Sequence, residues 1–474
     1  MRSRILIIVF DALRPEFLTA DLMPNLHGFA RHGVLCTDHH STFPTEPRVN
    51  QSSVTTGCYP RKHGIVANLF PMPGVDGILN TGDDAAFEAM IGDLREPLFG
   101  VPQMADILAT HGRSYASISA GTPGGARLIN LNAQSYGYMR YALRRPAASV
   151  PRGLSDRIAE VVGPIPDNTR PMVDWNRHAV EAWLEVIDPQ EPDVSLVWLC
   201  EPDESFHWHE IGSPESRAAA HGVDAAFGEI LHRKRDEIAS GNLQIIALSD
   251  HGQISLSGGK IGLEGKARAA GFKLDSPSPD YLFYVHNAGG IWVRDSDPDL
   301  IVDMTDWLLA QSFTGPVFTR DGLPGTLRHA DICADHPRAP DIYLTLAHDD
   351  GTNAYGLPGL SADNSPYPEG GGCHGGLSRY ELNNVLVLGG SAFGQGQNAA
   401  PTGNVDILPT VLHLLGLPLA GQLDGRVLHE TFVDGPRPPE PRIETLQHGQ
   451  THLRISRIGN TPYLDRGWAE LSHS

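Results

Sequence analysis

Three apolar runs in this chain each close on residue types that bind metal ions. Ile5-Leu6-Ile7-Ile8-Val9-Phe10 ends in Asp11. Gln244-Ile245-Ile246-Ala247-Leu248-Ser249 ends in Asp250-His251-Gly252, and the run from Val194 to Cys200 is followed by Asp203 and His207. Short, β-branched apolar runs of this kind predict strands buried on both faces, as in a parallel sheet. Open α/β sheets bind ligands at the carboxyl ends of such strands, so the three ligand groups are expected to converge. His374 joins them from the glycine cluster Gly370-Gly371-Gly372-Cys373-His374-Gly375-Gly376. Three carboxylates and three imidazoles are enough for two metal ions. Two ions about 3.5–4 Å apart make a clamp for in-line displacement at phosphorus.

The intervening segments predict the matching helices. A helix opens at Met23-Pro24-Asn25-Leu26 and stops at Gly33. Another covers Gln51 to Thr56 and ends at Gly57, and a third covers Met104 to His111. Arg113 to Ile118 reads as a strand, Arg177 to Ile187 as an amphipathic helix, and Arg217 to Ala239 as one long helix before the Leu243–Leu248 strand. This alternation predicts an α/β fold, a mostly parallel sheet between helical layers. Two stretches break the rhythm. Residues 69–100 are rich in Gly, Pro and Asp and read as a surface excursion or lid. Residues 120–172 read similarly, with Arg140, Arg144, Arg145 and Arg152 among small residues. From about Ser255 to Asp341 short strands surround one helix, Leu300 to Gln311, which predicts an inserted α+β subdomain. Asn384–Gly389 returns as a strand and Val405–Leu412 as a helix.

The chain has 474 residues and a formal net charge of −20. That charge argues against a nucleic-acid duplex as partner, because phosphate backbones select basic patches. Five cysteines, an odd number with no paired short spacing, predict a reduced compartment and a cytoplasmic protein. Met1-Arg2-Ser3-Arg4 is basic, but the six-residue apolar run after it is too short for a signal core or a membrane span. No membrane partner is expected, and a homo-oligomer is left open.

Motif by motif, the chain resembles the alkaline phosphatase superfamily, and within it the type I phosphodiesterase/nucleotide pyrophosphatase family. The resemblance is carried by the first strand with Asp11, by Thr56-Gly57-Cys58-Tyr59-Pro60-Arg61-Lys62-His63-Gly64-Ile65, and by Glu201-Pro202-Asp203. It is carried further by Asp250-His251-Gly252, His374-Gly375, Val405-Asp406-Ile407-Leu408-Pro409-Thr410 and Leu423-Asp424-Gly425-Arg426. It implies an alkaline-phosphatase-like catalytic core over residues 1–254 and 342–435, a cap-like insert over 255–341, and a C-terminal extension over 436–474. It implies two divalent ions, zinc or alternatively manganese, one held by Asp203, His207 and His374 and the other by Asp11, Asp250 and His251. Asn68 would oppose charge developing on phosphorus, and Arg48 lies close enough in sequence to aid an anionic substrate, a small-molecule phosphate ester.

The resemblance fails at the nucleophile. The family places a threonine ten residues before the glycine that here is Gly57, and that position is Pro47. Two readings stand. In an ungapped register the usual nucleophile is missing, and either a metal-bound hydroxide attacks directly or the site binds without turnover. With a longer loop, Thr45 of Thr45-Glu46-Pro47 is the nucleophile and a metal ligand, with Thr42 of Thr42-Phe43-Pro44 as the lesser candidate. The expected activity is metal-dependent hydrolysis of phosphodiester or nucleotide pyrophosphate bonds, preferably through Thr45. The alternatives are phosphonoacetate-type phosphonate, phosphomonoester or sulfate ester hydrolysis on the same scaffold, or a metal-holding protein without turnover.

Overall fold

The computed structural model describes residues 3–72, 78–94, 96–275, 279–419, 421 and 423–470. Its centre is a nine-stranded sheet in the order 396–398, 34–40, 383–389, 243–248, 4–10, 194–199, 115–119, 139–142, with 402–403 beside 34–40. Arg4–Phe10 is central and runs parallel to both neighbours, pairing Phe10 with Leu199 and Val9 with Leu248. Asn383–Gly389 returns antiparallel. The central strand alternates between two cores. Leu6, Ile8 and Phe10 pack with Leu26, Ala179 and Phe227, while Ile5, Ile7 and Val9 pack with Met104, Leu108 and Leu408. Burial on both faces is why the run is apolar without alternation. The α/β architecture expected from the sequence is present, with helices on both sides.

Several boundaries moved, each for a local reason. The helix expected from Gln51 starts at Pro47, whose fixed φ suits a first helical turn, and ends on Gly57 at φ 64°. The long helix expected to Ala239 is Pro214–Arg233 followed by Arg235–Ala239, broken at Lys234, which leaves helical geometry. The amphipathic segment is a helix over Val173–Ala182 that widens into a π-type turn over Trp183–Ile187. The 69–100 stretch is more than a surface excursion. A Leu69–Pro71/Ile78–Asn80 hairpin and the Asp84–Asp93 helix send Phe70, Leu79 and Phe87 into a core with Phe43 and Val66. Residues 73–77 and 95 of that stretch lie outside the described residues. The 120–172 stretch supplies the edge strand Met139–Ala142, and Arg140 is buried there with its guanidinium on the Ala148 and Asn130 carbonyls.

The smaller subdomain is a five-stranded sheet of 281–285, 288–293, 342–346, 314–319 and 327–328 beside the Pro298–Leu309 helix. Ile342–Leu346 lies in its middle, so this sheet continues past residue 341. A four-stranded sheet (348–352, 358–363, 254–260, 372–373) links it to the core and carries the loop with His374. Residues 442–469 form a three-stranded antiparallel sheet whose Leu453, Ile455 and Leu464 pack beside Leu377 and Leu382. The five cysteines are buried free thiols. No described helix is long and apolar enough to cross a membrane.

Candidate active site

The three parallel strands end side by side, and the predicted ligands follow from that register. Asp11 succeeds Phe10, and Ala12 turns the chain with a positive φ of 60°. A non-glycine residue held there is strained backbone of the kind found at functional sites. The Ala12 N–H donates to Asp250 Oδ1 at 3.2 Å, which ties two strand ends together. Asp203 and His207 lie on the short helix Asp203–Trp208, four residues apart and so on one face. His374 follows the Gly372–Cys373 strand, and Gly375 at φ 119° turns the chain just beyond it.

These side chains meet. His251 Nε2 lies 3.6 Å from Asp11 Oδ1 and 3.3 Å from Asp250 Oδ2. His207 Nε2 and His374 Nε2 lie 3.4 Å and 3.7 Å from Asp203 Oδ1. Ligand atoms of Asp11, Asp250 and His251 fall within 4.8 Å of one another, and so do those of Asp203, His251 and His374. His251 therefore belongs to both groups, and its ring centroid is 4.2 Å from that of His374. His207 approaches from the Asp203 side, its ring stacked on Tyr367 at 3.8 Å.

The donor set fits cations. Asp11 Oδ1, Asp250 Oδ2, His251 Nε2 and His374 Nδ1 are buried with no hydrogen-bond partner among the described residues. Leaving such atoms unpaired costs about 1–3 kcal/mol each, more for charged groups. Outer partners fix the remaining atoms. His207 Nδ1 meets the Gly372 carbonyl at 2.9 Å and His251 Nδ1 meets that of Gly252 at 3.0 Å, which leaves both Nε2 atoms facing the carboxylates. Trp198 Nε1 donates to Asp11 Oδ2 at 3.0 Å, and Gln253 Nε2 to Asp203 Oδ1 at 2.5 Å. Burial pushes the carboxyls of Asp11, Asp203 and Asp250 well above their usual range, and neighbouring carboxylates add to the shift. Burial also pushes His207 down to about 4 and His251 down to about 3. Neutral imidazoles beside crowded carboxylates are the state a divalent cation stabilises.

Beside this cluster is a cavity of about 300 Å³, lined in part by Glu46, Pro47, Arg48, Asn68, Asp203 and His374. Pro47 opens the Pro47–Thr56 helix at its edge. Asn68 Oδ1 accepts the Arg48 backbone N–H at 3.3 Å, and the Asn68 N–H donates to the Glu46 carboxylate. Burial pushes Glu46 up to about 7, against the opposing pull of the Asn68 N–H and Arg48. Arg48 Nε is buried without a hydrogen-bond partner among the described residues. Thr45, expected as nucleophile and metal ligand, faces elsewhere. Its Oγ1 accepts the Gly375 N–H at 2.9 Å and donates to the Gly376 carbonyl at 2.9 Å. The physical reason is the bridge between Thr45 and Gly375, which turns the hydroxyl onto the loop behind the cavity.

Sequence reasoning missed Glu46, Trp198, Gln253 and Tyr367. Gln253 had a signal, since it lies two residues past His251. Trp198 had none, because one aromatic residue in a buried strand reads as packing.

Comparison with known proteins follows the same lines. Residues 5–370 match the family model described as type I phosphodiesterase/nucleotide pyrophosphatase. Among curated relatives, the bis(5'-adenosyl)-triphosphatase ENPP4 of Bos taurus is 23% identical over 419 residues, which is 87% of this chain and 78% of that protein. An uncharacterised pyrophosphatase/phosphodiesterase of Schizosaccharomyces pombe is 23% identical over 262 residues, 55% of this chain and 47% of its own length. Among solved structures, murine ectonucleotide pyrophosphatase/phosphodiesterase 5, as an inactive variant in complex with AMP, superposes with a TM-score of 0.61 at 18% identity. That match covers 89% of this chain and 97% of the murine one.

Proposed function

The chain belongs to the type I phosphodiesterase/nucleotide pyrophosphatase family of phosphoric ester hydrolases, and from that membership we propose that it cleaves phosphodiester or nucleotide pyrophosphate bonds at a site holding two divalent ions. The observation that carries the reading is the set of buried, unpartnered ligand atoms at adjoining strand ends. Asp11, Asp250 and His251 would hold one ion, and Asp203, His207 and His374 the other, with His251 between them. The mixed carboxylate and imidazole set suits zinc, with manganese as the alternative. When bound, such ions neutralise charge on the phosphoryl oxygens and lower the pKa of a bound oxygen.

The chain's own groups would do the rest. The Gly372 and Gly252 carbonyls hold the His207 and His251 rings in the tautomer that turns Nε2 inward. The Asn68 side chain lines the cavity with its Oδ1 fixed by the Arg48 N–H, so its amide N–H groups would serve a substrate oxygen without reorganising during the reaction. The unpartnered edge of Arg48 is placed to take an oxygen of an anionic substrate. Nucleotides suit both groups, since each phosphate adds acceptor oxygens. Fitting this, the murine structural neighbour holds AMP.

The test is product formation from bis-p-nitrophenyl phosphate, ATP and diadenosine triphosphate by zinc-loaded protein, beside Arg48→Ala. Turnover of at least one of these, with a raised KM for the nucleotides in Arg48→Ala, is expected. Cleavage of p-nitrophenyl sulfate, or of the carbon–phosphorus bond of phosphonoacetate, with the phosphate esters untouched, would assign the site to a different substrate class.

A further inference from the structure

We propose that phosphoryl transfer in this chain is a single displacement by water, with no phosphoryl-enzyme. This rests on the hydrolase reading above and concerns how that hydrolysis proceeds. The residue at the mouth of the Pro47–Thr56 helix faces the cavity, and it is a proline with no nucleophilic atom. The nearest hydroxyl upstream, Thr45, is 0% exposed, has both its hydrogen-bond functions engaged by Gly375 and Gly376, and does not line the cavity. Swinging it inward would break both bonds and strand the Gly375 N–H in a buried site. Thr42 is also buried, behind the Asn50 amide that clamps its backbone.

The other nucleophile types at the cavity are poorly placed. Thr122 uses its hydroxyl to cap the Pro123–Leu128 helix, accepting from Gly125 N at 3.3 Å. Cys373 is 1% exposed, and its thiol donates to the His374 carbonyl at 3.6 Å. The Tyr367 ring is stacked on His207 at 3.8 Å, and the Tyr284 ring packs against His286 at 5.3 Å. Glu46 is occupied by the Asn68 N–H. Glu204 is held by Arg144 at 2.6 Å, and His286, which also lines the cavity, is the side chain that competes with water. The attack is assigned to water. Its oxygen forms the new bond to phosphorus, its proton passes to solvent, and the bond from phosphorus to the leaving oxygen breaks, that oxygen taking a proton from solvent. One in-line step inverts the configuration at phosphorus, whereas a covalent intermediate inverts it twice.

The experiment follows a P-chiral phosphorothioate diester through hydrolysis in heavy-oxygen water, with acid-quenched intact mass measured during turnover. The wild type is expected to give inverted product and no added mass of the transferred thiophosphoryl ester, and Pro47→Thr is expected to carry that group on residue 47. Retained configuration in the wild type, or the transferred group on any side chain, Thr45, Glu46 and His286 included, overturns the proposal while leaving the hydrolase reading standing. No cleavage of any phosphate ester by wild type with metal bound removes the hydrolase reading, and this one with it.

Discussion

Nε2 of His251 and Oδ1 of Asp11 face each other across 3.6 Å, both buried and neither with a hydrogen-bond partner among the described residues. The two come from different strand ends of one parallel sheet, so the fold itself creates the pair. An imidazole and a carboxylate that both lack partners are stable together when a cation sits between them.

His251 therefore bears on both ligand groups. His251→Gln is expected to lower the bound metal content and to abolish the rise in Tm that zinc produces in the wild type. Elemental analysis after gel filtration and a thermal melt with and without zinc check this. An unchanged metal content would show that His251 is no ligand.

Gln253 reaches Asp203 Oδ1 at 2.5 Å, so it orients a ligand without being one. Removing such an outer partner typically weakens metal affinity or activity by about 10–100-fold. Gln253→Ala is expected to fall in that range, with Gln253→Glu worse because a second carboxylate would repel Asp203. Competitive chelator titration gives the affinity directly.

Asn68 is expected to act on the transition state. Loss of one preorganised donor costs on the order of 10²–10³ in kcat. Asn68→Ala should lose kcat on a diester to that extent while KM and metal content stay close to wild type. A change confined to KM would make Asn68 a ground-state contact.

A pH effect on stability is expected outside the cavity lining, where the core meets the C-terminal sheet. Burial disfavours the His40 imidazolium, but Asp38 and Asp465 outweigh it and raise His40 to about 9. Its Nε2 lies 3.4 Å from Asp38 Oδ1 and 3.3 Å from Asp465 Oδ1. The adjacent His39 is held neutral by burial, lowered to about 3, and Arg454 also pairs with Asp465. The folded-state value is above the ordinary one near 6.5, so His40 contributes its full stabilisation below that pH and loses it as pH rises through about 9. Wild-type Tm should drop over that window more than the Tm of His40→Gln. Parallel curves for the two proteins would exclude this linkage.

Much of this site was readable before the fold was known. Strands buried on both faces produce uninterrupted apolar runs, and their ends are marked by residues too polar to continue them, as at Asp11 and Asp250. What escaped was set by long-range contact. Thr45 carries the right chemistry and the right neighbouring proline, yet its direction depends on a bridge to Gly375, 330 residues later. The Ile342–Leu346 strand could be read as one of the short strands of the smaller subdomain, but only its partners place the end of that sheet beyond residue 341. The 69–100 stretch has the composition of a loop, but its few large residues, Phe70, Leu79 and Phe87, are enough to bury it.

The most direct test of the account measures metal content and bis-p-nitrophenyl phosphate turnover on one sample, before chelation, after chelation and after zinc is restored. The account predicts about two ions per chain, turnover that disappears with them, and turnover that returns when they do. Turnover that persists in metal-free protein would contradict it.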